Sequence, residues 1–208
     1  MLNLLAIAYL CTVMEQLSLF GEAGQSRGFP TDLLDYRPGL LDAEMSECIM
    51  HKLISETSFK QPMQKMYDKE ILTPRLIGWY GDASDIIRDM QPWTDDLLMI
   101  RGKVEELAGL QFNSVLLNYY RDGNDSVAWH SDKESLNRKT IVASVSLGQV
   151  RSFDIRNKQD HKEKYSIKLE SGSYLLMKAG LQDHWEHRIA KSARPMKARL
   201  NLTFRVIG

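Results

Sequence analysis

Near its C-terminus the chain reads Arg199-Leu200-Asn201-Leu202-Thr203-Phe204-Arg205, followed by Val206. Polar side chains take every odd position and apolar ones every even position, so a strand here has two unlike faces. A solvent-exposed amphipathic strand also alternates. The polar set points elsewhere, because it holds two arginines, an asparagine and a threonine and no Lys, Glu or Ser. Arginine suits bidentate capture of a carboxylate, and two on one strand suit both ends of a dicarboxylate. Asn118 and Tyr120 form another polar pair, two residues apart, on a run that otherwise reads apolar. If buried, both need hydrogen-bond partners.

Working outward from this stretch, period-two runs of β-forming residues recur at Val115 to Tyr120, Thr140 to Leu147, Ser152 to Ile155, Tyr165 to Leu169 and Ser173 to Met177, before Arg199 to Val206. Short strands at regular spacing point to a sandwich or barrel. Two helices precede them. Asp42 caps one whose residues Met45, Ile49 and Leu53 form an apolar stripe. Thr94 opens another, with Leu97, Ile100, Val104 and Leu107 on one face and Asp95 and Asp96 at its positive end. The fold class expected is α+β, mainly β, with helices flanking the β core. From Leu17 to Pro38 the chain is rich in Gly, Pro, Ser and Asp, so residues 1–38 read as a flexible arm and 39–208 as one folded domain.

The 208 residues are 43% hydrophobic and 26% charged, enough for a sizeable core and too apolar for a disordered chain. With 27 basic and 27 acidic residues there is no global field to draw the protein onto a polyanion, and any such partner needs a local patch. Cys11 and Cys48 are too few for a disulfide framework, which favours a reducing, cytoplasmic setting. Met1 to Val13 is apolar but too short to span a bilayer, and it lacks the basic flank and cleavage site of an export signal. Neither membrane nor export is expected, and Met14 is an alternative start.

Among the five histidines, His130 stands out because Asp132 follows two residues later at the end of a strand-like run. In extended chain these two side chains converge, giving two thirds of the facial ligand set that non-heme Fe(II) oxygenases use. A second histidine from a distant strand is required. The bland alternative is a histidine paired with its neighbouring carboxylate.

Five segments then resemble, in order and spacing, the AlkB family of Fe(II)- and 2-oxoglutarate-dependent nucleic-acid dealkylases: Pro74 to Asp82, Asn118 to Glu134, Ser144 to Arg156, Trp185 to Ile189 and Arg199 to Arg205. The resemblance runs from about Gly39 onward. It implies a double-stranded β-helix (jelly-roll) core, with His130, Asp132 and His187 as both iron ligands and catalytic centre. His187 is preferred to His184 on the Trp-x-His-Arg pattern. It also implies a 2-oxoglutarate pocket in which Arg199 holds the distal carboxylate, Arg205 lies near the chelating end, and Asn118, Tyr120, Asn201 and Thr203 complete the wall. The implied reaction uses Fe(II), 2-oxoglutarate and dioxygen to demethylate bases such as 1-methyladenine and 3-methylcytosine in single- or double-stranded DNA, releasing formaldehyde and succinate. RNA or protein as substrate, and a non-catalytic DNA-binding relative, remain as alternatives, and a monomer is expected.

On the substrate side the resemblance implies that Trp79 or Tyr80 stacks on an extruded base and that Glu134 meets its exocyclic amine. The segment at Met66 and Tyr67 then fills the gap left in the duplex. Aromatic residues here are equally good core material. The chain departs from many relatives in running Ala83-Ser84-Asp85-Ile86-Ile87 after the Tyr-Gly-Asp motif, where they carry a tyrosine-rich stretch. Two basic clusters fit either a phosphate track or solvated surface: Arg151, Arg156, Lys158, Lys162, Lys164, and Arg188, Lys191, Arg194, Lys197. Finally, Gln16-Leu17-Ser18-Leu19-Phe20 resembles the peptide by which bacterial DNA-processing enzymes dock on the sliding clamp.

Overall fold

The alternating runs become strands that pair antiparallel and stack as two facing sheets. The computed structural model describes residues 29–66, 69–82, 87, 89–132 and 140–207. In chain order the strands are β1 (Leu34–Arg37), β2 (Met63–Met66), β3 (Lys69–Leu72), β4 (Leu76–Gly81), β5 (Ser114–Tyr120), β6 (Val127–His130), β7 (Val142–Gly148), β8 (Arg151–Asn157), β9 (Lys164–Leu169), β10 (Ser173–Met177), β11 (Trp185–Ile189) and β12 (Arg199–Arg205). The helices are α1 (Ala43–Glu56), α2 (Asp95–Ala108) and the short α3 (Leu181–His184). One sheet runs β1-β10-β7-β12-β5-β4, the other β6-β11-β8-β9, and β2 and β3 form a separate ribbon. This is a jelly roll of the double-stranded β-helix type with flanking helices.

β12 lies inside the larger sheet, between β5 and β7, and both of its faces are buried. Leu200, Leu202 and Phe204 are wholly buried and pack with Leu53 of α1 and with Leu97, Ile100 and Val104 of α2. Such burial contributes about 1.5–3 kcal/mol per large side chain. The odd-numbered residues face the second sheet. Register carries that division across: Asn201 lies opposite Asn118 on β5 and Ser146 on β7, and opposed residues in antiparallel strands share a face. Between the sheets, Phe153, Ile155, Leu175, Met177 and Trp185 build a second core. Gly148 ends β7 at φ +84°, where a Cβ would lie 2.6 Å from the Ala198 carbonyl, so the turn that carries the chain from one sheet to the other requires glycine.

Helix ends form as their caps dictate. Asp42 accepts from the Met45 amide at 2.8 Å, Thr94 accepts from the Leu97 amide at 3.3 Å, and Gly109 closes α2 in the left-handed region. The buried stripe of α1 is Ser46, Ile49, Met50 and Leu53, and Met45, expected inside, is exposed, because the helix meets the sheet about one position off the simple four-residue repeat.

Two other expectations need correction. Drawing the arm to residue 38 cuts off β1, which pairs along its length with β10 and buries Leu34 and Tyr36 between the sheets. The folded unit therefore includes residues that the Gly- and Pro-rich composition disguised. The clamp-like peptide Gln16 to Phe20 lies outside the described residues, as do Tyr67 and Glu134. Arg151, grouped with surface cations, is buried at 3% exposure and donates to the backbone carbonyls of Asp122, Asp125 and Ala190. It ties the turn after β5 to the end of β11.

Candidate active site

The second sheet supplies a metal-like cluster. His130 ends β6 and lies in register with His187, the middle residue of β11, so both imidazoles project from neighbouring strands at one level. Asp132 follows just beyond β6. One donor atom from each of the three lies within 4.8 Å of the others. The His130 Nε2 to Asp132 Oδ1 distance is 3.9 Å and that from His187 Nε2 to Asp132 Oδ2 is 3.7 Å. His184, the alternative, is exposed at the end of α3, and His51 and His161 are also exposed and outside the cluster, His161 lying 3.7 Å from Glu186 Oε1.

Each donor is prepared for a cation. His130 Nδ1 lies 2.9 Å from the Ala128 carbonyl, so that nitrogen donates to it and Nε2 is the ring atom turned toward Asp132. The His187 ring is held between His130, with centroids 4.2 Å apart, and Phe153 at 5.1 Å. Burial, aided by the neighbouring His130 charge, lowers the His187 pKa to about 3 and keeps the imidazole neutral. Burial works against charge on Asp132, but the neighbouring positive charge, Arg205 foremost, outweighs it and holds the carboxyl below its ordinary pKa. Arg205 Nη2 donates to Asp132 Oδ1 at 3.0 Å. Two imidazoles and a carboxylate on one side of a cavity are a donor set that fits Fe(II).

That cavity, about 290 Å³, opens between the sheets. Asn118, Tyr120, Arg199, Asn201, Thr203 and Arg205, all six from β5 and β12, line it together with His130, Asp132 and His187. Arg199 is its most telling wall residue. Its side chain is 1% exposed, Nη2 donates to Ser146 Oγ at 2.9 Å, and the guanidinium lies 5.1 Å from the Tyr120 ring centroid. Nε and Nη1 are buried without a hydrogen-bond partner, and no carboxylate pairs with Arg199 among the described residues. A buried guanidinium with open donors is costly unless an anion meets it, which fits the carboxylate of 2-oxoglutarate. Its neighbours, by contrast, satisfy one another: Asn201 donates to Ser144 Oγ at 2.7 Å, and Asn118 Oδ1 accepts from Arg75 Nε at 2.7 Å.

Arg75, Ser144 and Ser146 were not singled out in the sequence. Ser144 and Ser146 alternate with Val145 and Leu147 just as β12 alternates, and that signal was present to be read. Gln182 had no such signal. It lies in α3 with 8% exposure and bonds Asp132 twice, accepting from its amide at 3.0 Å and donating to Oδ2 at 3.3 Å.

Trp79 and Tyr80 separate cleanly. Tyr80 is opposite Val115, faces the helices, is 4% exposed and donates to Thr57 Oγ1, so it is core and does not serve as a base platform. Trp79 is opposite Leu116, half-buried on the cavity face of edge strand β4. On the outer face of the second sheet, Arg156 and Arg188 flank the Trp129 ring at 4.2 and 4.5 Å and pair with Glu186 and Asp154. Their charge is therefore largely answered within the protein, whereas Lys191, Arg194 and Lys197 are exposed.

Residues 34–205 match the family model described as the 2OG-Fe(II) oxygenase superfamily. The chain is 36% identical over 184 residues to the alpha-ketoglutarate-dependent dioxygenase alkB homolog 3 of Bos taurus, covering 82% of this chain and 64% of that protein. It is 35% identical to the DNA oxidative demethylase ALKBH2 of Arabidopsis thaliana, covering 86% of this chain and 68% of that protein. The solved structure of OsALKBH1 superposes with a TM-score of 0.61 at 16% identity, over 83% of this chain and 97% of that chain, and bears on the fold alone. The chain spans a little less than two thirds of the length of the mammalian alkB homolog 3 proteins it matches.

Proposed function

The chain belongs to the 2OG-Fe(II) oxygenase superfamily and within it to the AlkB family, and on that premise we propose that it oxidatively removes small alkyl groups from base nitrogens in DNA. The carrying observation is one cavity that joins a His-Asp-His cluster to a buried arginine with open donors. Bases such as 1-methyladenine and 3-methylcytosine are the proposed substrates. When bound, Fe(II) and 2-oxoglutarate supply the chemistry that puts one oxygen of O2 on the N-methyl carbon and the other into succinate, with loss of carbon dioxide.

His130, Asp132 and His187 would hold the metal from one side, leaving the opposite side toward the cavity. Arg199 would grip the distal carboxylate with its two open N–H groups, and Arg205, already on Asp132, would add positive charge near the chelating end. Trp79, on the cavity face at the sheet edge, would stack on the extruded base. Once the methyl carbon carries a hydroxyl, its O–H proton passes to water, the C–N bond breaks with its electron pair going to the ring nitrogen, and formaldehyde leaves.

Tyr67 and Glu134, outside the described residues, belong to the same proposal as base-contacting groups, and so does Gln16 to Phe20 as a tether to a sliding clamp. A cytoplasmic setting, resting on the two cysteines, and a monomeric state complete it; no helix among the described residues is long and apolar enough to cross a membrane. The test is release of succinate and formaldehyde with methylated DNA, methylated RNA and methylated peptide side by side. Release coupled to DNA is expected. Coupling only to RNA or peptide reassigns the substrate, and none with any of the three leaves a non-catalytic binder.

A further inference from the structure

Asp132 has a problem of position that His130 and His187 do not share. Both histidines are held in the ladder between β6 and β11, while Asp132 lies two residues past the last residue of β6, with no strand partner to fix it. Its carboxylate still has to keep one orientation. Rotation about χ2 would swing an oxygen away from the imidazoles 3.7 and 3.9 Å off.

Two side chains hold it. Arg205 bonds Oδ1 at 3.0 Å and contributes charge. Gln182 bonds both the Asp132 amide, at 3.0 Å, and Oδ2, at 3.3 Å, so backbone and carboxylate are gripped by one neutral group. A primary amide suits this task without carrying charge, since its oxygen accepts and its nitrogen donates from either side of one carbon. The backbone N–H is a donor alone, which decides that the amide oxygen faces it and the nitrogen faces the carboxylate. Gln182 is itself anchored: its side chain is against Met177 Sδ at 3.6 Å, and its carbonyl accepts from Lys158 Nζ at 2.6 Å. Lys158 is also bonded through its amide to the His184 carbonyl, so α3 is fixed to the strand β8 extension at two points. Ser131 adds a bond to the Trp185 carbonyl at 3.2 Å, just outside this grip.

We infer that Gln182 is a positioning residue of the metal centre, which clamps Asp132 through its amide and carboxylate together and so sets the orientation of the one ligand that no strand holds. This rests on the reading of His130, Asp132 and His187 as a metal site. A neutral clamp leaves the charge balance to Arg205, and the carboxylate keeps its negative charge for the cation. Outer groups that orient metal ligands typically carry a 10- to 100-fold share of metal affinity.

The experiment is Mn(II) titration of the full chain without 2-oxoglutarate, with the visible spectrum of the Co(II) form as a second readout, on wild type, Gln182→Met and Gln182→Asn. Methionine keeps the volume and loses both bonds; asparagine keeps the amide but falls one methylene short. Both variants are expected to bind Mn(II) about 10- to 100-fold more weakly, with an altered Co(II) ligand-field band. If Gln182→Met does not fold, Gln182→Asn decides alone. Wild-type affinity with an unchanged band overturns the inference, and so does a loss that only follows the folded fraction while the band of the bound form stays the same. Those outcomes leave the metal site intact. Wild-type protein that binds no more metal than His187→Ala would instead overturn the site, and this inference with it.

Discussion

At one end of the cavity, on β6 and β11, Asp132 is held by Arg205 and Gln182 and His130 Nδ1 meets the Ala128 carbonyl, while Nδ1 of the buried His187 has no hydrogen-bond partner. At the other, on β12 and β7, Arg199 is just as deeply buried but two of its nitrogens have no partner. The first end has its carboxylate oriented by protein groups, and a small cation gains most from donors that need no rearrangement. The second keeps its donors open, because a carboxylate brings its own acceptors and any internal partner would compete with it. The difference separates a site organised around a cation from one held open for an anion.

Removing a ligand at the cation end has the largest effect. Alanine at His130, Asp132 or His187 should reduce formaldehyde release to background and abolish Mn(II) binding, while His184→Ala, an exposed residue, should leave both at wild-type levels. The same end should dominate the response of the metal-free protein to acid. His187 titrates near 3 in the folded chain against 6.5 when unfolded, so below about pH 6.5 the unfolded state takes up the proton first and stability falls until about pH 3. The loss is on the order of 1 kcal/mol per pH unit in that window, checked by chemical denaturation from pH 7 to 4 in wild type and in His187→Phe, which should lose most of the slope.

A smaller and different effect belongs to the anion end. Arg199→Lys keeps the charge and loses the fork, and should weaken 2-oxoglutarate binding by about 1.5–3 kcal/mol with Mn(II) affinity unchanged. A parallel loss of metal affinity would mean the two ends are not separate. At the rim, Trp79→Ala should slow turnover of methylated oligonucleotides by the equivalent of about 1–3 kcal/mol of stacking and leave uncoupled 2-oxoglutarate decay alone. Tyr80→Phe should do the reverse, lowering stability by about 0.5–1.5 kcal/mol through the lost bond to Thr57 without touching turnover. Least of all should the cavity feel Leu19 and Phe20: the double alanine variant is expected to lose binding to purified clamp while turning over free oligonucleotides at the wild-type rate.

Much of this was legible where periodicity and chemistry coincide. β12, β5 and the caps at Asp42 and Thr94 were readable because one residue type repeats at the spacing that one element imposes. β1, β4 and β11 were not read as strands, since they are short or interrupted by Gly, His and Glu, and their identity comes from neighbours that complete their ladders. Arg151 shows the same limit from the other side: in a run of cations it looks like surface, and only the fold gives it three carbonyls to hold.

By itself, then, the sequence determined the two-faced strand at 199–205, the His130-x-Asp132 pair and the order of motifs along the chain, because each depends on neighbours within a few residues. Tertiary structure put His187, already preferred on the Trp-x-His-Arg pattern, beside that pair, and it alone decided that Tyr80 turns to the helices while Trp79 turns to the cavity and that Gln182 reaches Asp132 across 50 residues. Those outcomes depend on which strands lie side by side and in what register. A one-residue shift in register reverses every face, and that choice is made by the packing of whole sheets.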